Sequence, residues 1–104
     1  MDYGKLDQFG WESEEMVDSF LMATLNLSEE EVENERGVFI IPYPIILRPY
    51  ANPIIEDMGI KFRDYRDRNA CEDCVIIEDK IEAATFVCKI IETQRRLMIS
   101  SALN

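Results

Sequence analysis

The strongest hydrophobic pattern lies in the C-terminal third. Ala70, Cys74, Ile77, Ile81, Ala84, Cys88, Ile91, Arg95 and Met98 alternate steps of four and three, the spacing that gathers residues on one face of a helix. Val87, Ile90, Phe86 and Leu97 broaden that face beyond a coiled-coil seam. Acids stand at its start (Glu72, Asp73, Glu78, Asp79, Glu82) and bases near its end (Lys89, Arg95, Arg96), as the helix dipole favours. The pattern predicts one long amphipathic helix from Asn69 to Ser100, on which the rest of the chain packs. Val75, Ile76 and Ile77 support a rival reading, because consecutive β-branched side chains suit a strand. Asp79 and Glu82 form a capping pair. The alternative is therefore a strand at Cys74–Ile77 followed by a helix from Lys80.

Upstream, Ser13 is placed to cap a helix running to about Asn26, with Glu14 and Glu15 in its first turn. Met16, Val17, Phe20, Leu21, Thr24 and Leu27 make its apolar face; Glu12, Glu15 and Asp18 fall off that face and are expected in water. Ser28 and Glu31 form a capping box, Leu27 and Val32 occupy the staple positions, and Gly37 is the expected stop of a second, acidic helix. Met1–Trp11 reads as an arm able to dock through Tyr3, Leu6, Phe9 and Trp11.

Val38–Ile41 reads as a strand. Pro42, Pro44, Pro49 and Pro53 follow it closely, so Ile45–Leu47 is expected to be at most an edge strand or an extended segment. Asn52 as cap, Pro53 at the first helical position and Gly59 as stop predict a helical turn over Pro53–Met58. Ile60–Arg63 alternates apolar and basic residues, which predicts a half-buried strand. The fold class implied is α+β. Two N-terminal helices, a small two- or three-stranded sheet with a proline-rich edge and a long C-terminal amphipathic helix make one domain over residues 1–104.

Composition narrows the function classes. With 47% apolar residues in 104, the chain can bury a core and is not a disordered tail. It has no apolar run of membrane-spanning length, and because Met1–Gly10 lacks an apolar stretch no secretory leader is expected. Three cysteines in no disulfide framework fit a reducing cytoplasm. Histidine is absent, which removes the commonest general base and the commonest metal ligand. That excludes Ser-His-Asp and Cys-His sites, and an enzyme is not expected.

Charge is the most informative quantity. Residues 1–35 hold eleven acids against the single base Lys5, and residues 36–104 hold ten of each, so the whole net charge of −10 lies in the first third. Such a surface repels phosphate backbones, which argues against direct nucleic-acid binding. It attracts basic protein surfaces and speeds encounter with them. The expected partner-binding residues are Trp11, Glu12, Glu15, Asp18, Glu30 and Glu33.

Two other clusters carry candidate chemistry. Cys71 and Cys74 form a CxxC pair suited to zinc. Cys88 would stand about 21 Å further along a continuous helix at roughly 1.5 Å per residue, so a four-thiolate site needs two chains pooling their pairs. A thiol-redox role is opposed by Glu72 and Asp73 between the thiols; plain small core or surface residues are the reading that stands ahead of both. Lys61, Arg63, Arg66 and Arg68 form a basic strip diluted by Asp64 and Asp67, better read as internal charge pairing or a solvated strand edge than as a phosphate track. The leading expectation is an acidic binding module for a basic, nucleic-acid-handling protein, of the inhibitor, immunity or DNA-mimic type. The alternatives are a dimeric CxxC metal or thiol protein and an assembly subunit pairing through its C-terminal helix as a homodimer.

Overall fold

The computed structural model describes residues 3–33, 38–59, 62–66 and 72–103. The chain is a mixed α+β fold. Helices α1 (Tyr3–Phe9), α2 (Glu14–Leu25) and α3 (Glu29–Glu33) precede strand β1 (Phe39–Pro44), a 3-10 turn (Ile45–Leu47) and helix α4 (Arg48–Met58). Strands β2 (Phe62–Arg66) and β3 (Glu72–Ile77) then lead into helix α5 (Lys80–Leu103). The sheet is antiparallel in the order β1-β3-β2.

The long helix starts eleven residues later than the four-three spacing predicts, at Lys80 rather than Asn69. The rival reading is the correct one: Val75, Ile76 and Ile77 lie in the central strand. Their β-branched side chains fit a pleated surface better than a helical turn. Asp79 caps α5, its Oδ1 accepting from the Glu82 backbone N–H at 2.9 Å. Register places Phe39 opposite Ile77, Ile41 opposite Val75 and Tyr43 opposite Asp73, and all six side chains are buried. This is the inner face of the sheet.

Helix α5 is the central element, in contact with α1, α2, α4, β1 and β3. Ala83, Ala84, Thr85, Phe86 and Val87 are all buried, so this part of the helix is covered on every side, unlike a surface helix with one apolar stripe. Phe86 meets Tyr43 of the sheet edge-on, with ring centroids 6.1 Å apart. Towards its C-terminus α5 leaves the core. Met98, expected on the packed face, is 72% exposed, and Ile99 is exposed beside it.

Other boundaries also shift. Ile45–Leu47 is a 3-10 turn rather than an extended segment, with Leu47 buried. Helix α4 begins at Arg48 with Pro49 in its first turn, so Asn52 and Pro53 are interior rather than a cap and a first position. Proline is tolerated in the first turn, where its missing N–H would be unpaired anyway. Pro53 removes one later helical bond. Gly59 does end the helix, at φ 63°, as expected. The proline-rich edge strand is β1 itself, which contains Pro42 and Pro44. The strand expected at Ile60–Arg63 is found at Phe62–Arg66; Ile60, Lys61 and the expected stop Gly37 lie outside the described residues.

Candidate functional site

The acidic surface is built by two well-capped helices. Ser13 Oγ accepts from the Met16 backbone N–H at 3.2 Å, which starts α2 and sets Glu14 and Glu15 in its first turn. Asn26 in the left-handed conformation (φ 55°) closes α2. The capping box at α3 forms as its sequence requires: the Ser28 N–H donates to Glu31 Oε1 at 3.1 Å, and the Glu31 N–H donates to Ser28 Oγ at 3.2 Å. Val32 is buried beneath it. The result is an outward display of Glu12, Glu15, Glu29 and Glu30, with none of them paired to a base among the described residues.

Lys80 is the exception to that one-sided display. From the start of α5 its Nζ lies 2.8 Å from Glu14 Oε1 and 2.7 Å from Asp18 Oδ1. Asp18, expected in water as a partner-facing acid, is therefore half-buried and engaged within the chain. Its Oδ1 lacks an aligned hydrogen bond, so the Lys80 charge is what compensates its burial. Burial alone lowers the Lys80 pKa; contacts with Asp18 and Glu14, and their charges, outweigh it and hold it above the ordinary lysine value.

The arm expected at Met1–Trp11 contains a helix, α1, packed on α5 of its own chain. Leu6 is buried. A Schellman motif ends α1: the Gly10 N–H donates to Asp7 O at 3.2 Å and the Trp11 N–H to Leu6 O at 2.8 Å. Gly10 sits at φ 79°, a conformation that glycine adopts without steric cost. This reversal delivers Trp11 against Phe20, with ring centroids 5.4 Å apart. Its indole N–H donates to Thr85 Oγ1 at 2.8 Å, and Thr85 in turn donates to Ile81 O at 2.8 Å. Trp11 is thus half-buried and fixed by backbone, ring and side-chain contacts at once.

A half-open cleft of about 310 Å³ lies beside it. Phe9, Gly10 and Trp11 of the α1–α2 turn and Met16 of α2 make one side; Thr85, Cys88, Lys89 and Glu92 of α5 make the other. Burial raises the Cys88 thiol pKa, and the Glu92 carboxylate, 4.0 Å from Sγ, raises it further. That favours the protonated, unreactive thiol.

The structure therefore gathers Trp11, Glu12 and Glu15 around the α1–α2 turn. Glu30 is exposed on α3, and the Glu33 side chain lies outside the described residues. Cys74 is half-buried in β3, not on a helix as the four-three spacing expected. Cys71 lies outside the described residues. Among those described, no group of three or more His, Cys, Asp or Glu is arranged to hold a metal, and no helix is long and apolar enough to cross a membrane.

Sequence reasoning missed the Arg48–Asp73 pair. Asp73 is fully buried in the central strand, and Arg48 grips both its oxygens, Nε at 2.6 Å from Oδ2 and Nη2 at 2.9 Å from Oδ1. The expected strand, Cys74–Ile77, stops one residue short of Asp73; only in the observed strand, Glu72–Ile77, do residues 73, 75 and 77 share a face at period two. The pair ties the start of α4 to the middle of the sheet. No protein-family model, curated protein or solved structure matches this chain, so the functional reading rests on its residues.

Proposed function

We propose that the chain is a non-enzymatic binding module whose acidic N-terminal face covers a basic, nucleic-acid-handling surface of a partner protein, as an inhibitor or immunity-type protein does. The observation that carries this reading is the exposed set Glu15, Glu29 and Glu30 on capped helices with buried inner residues, together with exposed Glu12 in the turn before α2. A rigid array of one sign steers a partner of the other sign and suppresses wrong partners. The self-repulsion of that array is a standing cost to the free fold, and a basic partner relieves it.

The test compares the parent chain with a variant carrying Glu12→Gln, Glu15→Gln, Glu29→Gln and Glu30→Gln. Both are immobilised and offered the same cell extract at low and at high salt. A basic protein retained by the parent is purified, and its association rate is measured on both chains. The rate is expected to fall at least about tenfold in the variant and to lose most of its salt dependence. A partner that binds both chains equally fast, at every salt concentration, removes the reading. Asp18 is left unchanged because its pairing with Lys80 belongs to the fold.

A further inference from the structure

We propose that the cleft between the α1–α2 turn and α5 is the socket for one bulky apolar side chain projecting from the basic partner. This rests on the acidic-face reading and sharpens it: the partner's recognition element is a cationic segment with a single aliphatic or aromatic anchor.

Three observations lead there. The first is that the walls are preformed. Trp11 is held by its backbone bond to Leu6, its ring contact with Phe20 and its indole bond to Thr85, so an incoming group meets a surface that need not reorganise, and preorganisation favours affinity. Met16 nevertheless remains 48% exposed, an incompletely covered apolar wall.

The second concerns polarity. The Thr85 hydroxyl is already engaged as donor and acceptor. Cys88 is held as a thiol by burial and by Glu92. Lys89 and Glu92 contribute opposite charges. Phe9, Trp11 and Met16 give the cleft an apolar side, and the engaged Thr85 hydroxyl of α5 offers no free donor, which fits a hydrocarbon side chain seated against that wall.

The third is continuity with the charged face. Glu12 directly follows Trp11, Glu15 directly precedes Met16, and both are exposed; Glu92 lines the cleft from α5. Glu92 in the lining and the exposed Glu12 and Glu15, next in sequence to lining residues, outnumber the one lining base, Lys89, so the site is complementary to an apolar anchor flanked by lysines or arginines. A desolvated anchor ringed by polar contacts is the arrangement in which interfaces concentrate their binding energy.

The test uses two synthetic lysine-rich peptides that differ only at the central residue, phenylalanine in one and alanine in the other. The chain has one tryptophan, so its emission reports on the cleft directly. The phenylalanine peptide is expected to bind about tenfold tighter and to shift Trp11 emission to the blue; the alanine peptide is expected to bind weakly, salt-dependently and without a shift. Cys88→Phe, which fills the cleft from α5, is expected to abolish the phenylalanine advantage and leave alanine-peptide binding unchanged. Equal affinities with unchanged emission overturn the socket while leaving the acidic-face reading intact. Binding of neither peptide at low salt overturns both. If Cys88→Phe fails to fold, the parent-chain comparison decides by itself.

Discussion

In residues 36–104 acids and bases balance, and Asp73, taken fully into the core, meets Arg48 through both carboxylate oxygens. In residues 1–35 eleven acids face one base, and Glu12, Glu15, Glu29 and Glu30 stay at the surface. The two regions share a central helix yet use carboxylates for different ends. In the first, a charge fixes one strand against one helix. In the second, charges are presented outward by capped helices, with Lys80 as the cation that crosses to Glu14 and Asp18. A buried carboxylate tolerates its environment only with a partner, whereas a surface carboxylate needs none and is available to another molecule.

The sharpest way to break the contrast is Arg48→Ala. Removing the guanidinium takes from a buried carboxylate the base that bonds both its oxygens, and breaking such a pair costs about 3 kcal/mol, the lower end of the usual range because Arg48 is itself partly exposed. Urea unfolding is expected to show this as a lower midpoint with an unchanged slope. A loss well under about 1 kcal/mol, the range of surface pairs, would place Asp73 in the same class as the N-terminal acids.

A smaller effect is expected from Trp11→Phe, which keeps the ring contact with Phe20 and deletes the hydrogen bond to Thr85, worth about 1 kcal/mol. Hydrogen exchange is expected to quicken in α1 and around the α1–α2 turn and to leave β3 unchanged. Equal quickening in the sheet would mean that the acidic region is not a separable layer but part of the same cooperative unit.

The smallest effect concerns Lys80. Its pKa is raised in the folded chain, so protonated Lys80 stabilises the fold. That contribution is complete below the ordinary lysine pKa and is lost as pH rises through the raised one. Thermal midpoints measured across the alkaline range are expected to fall more steeply for the parent than for Lys80→Met. Parallel curves would show that the Lys80 contacts with Glu14 and Asp18 contribute nothing.

Local features were the legible part of this sequence. Ser13, the Ser28–Glu31 box and Asp79 act over three residues, and each makes the bond its spacing implies. The central strand was harder to read for a physical reason. Its inward residues are Asp73, Val75 and Ile77, and a charged residue at a core position hides the period-two alternation. The same stretch meanwhile supplies Cys74 and Ile77 at helical spacing. Arg48, 25 residues away in sequence, supplies a compensating charge for Asp73 in the core, and no local pattern announces a partner at that distance. The acidic face was legible from charge counting. The cleft was not, because it joins residues 9–16 to residues 85–92 and exists only once α1 has docked on α5. Asp18 shows the converse: helical periodicity places it off the apolar face, but Lys80, a long-range neighbour, draws it in.

Proline in β1 has a consequence for life at high concentration. Pro42 carries no N–H to give to β3, so in the alternating pattern of an antiparallel pair the backbone groups of Ile40, Pro42 and Pro44 turn to the open side. Two of those three donors are missing by chemistry. A stray strand meeting that edge finds an incomplete template, although Ile40 there is 58% exposed and would otherwise invite stacking. The β1 edge is thus a poor template for a further strand.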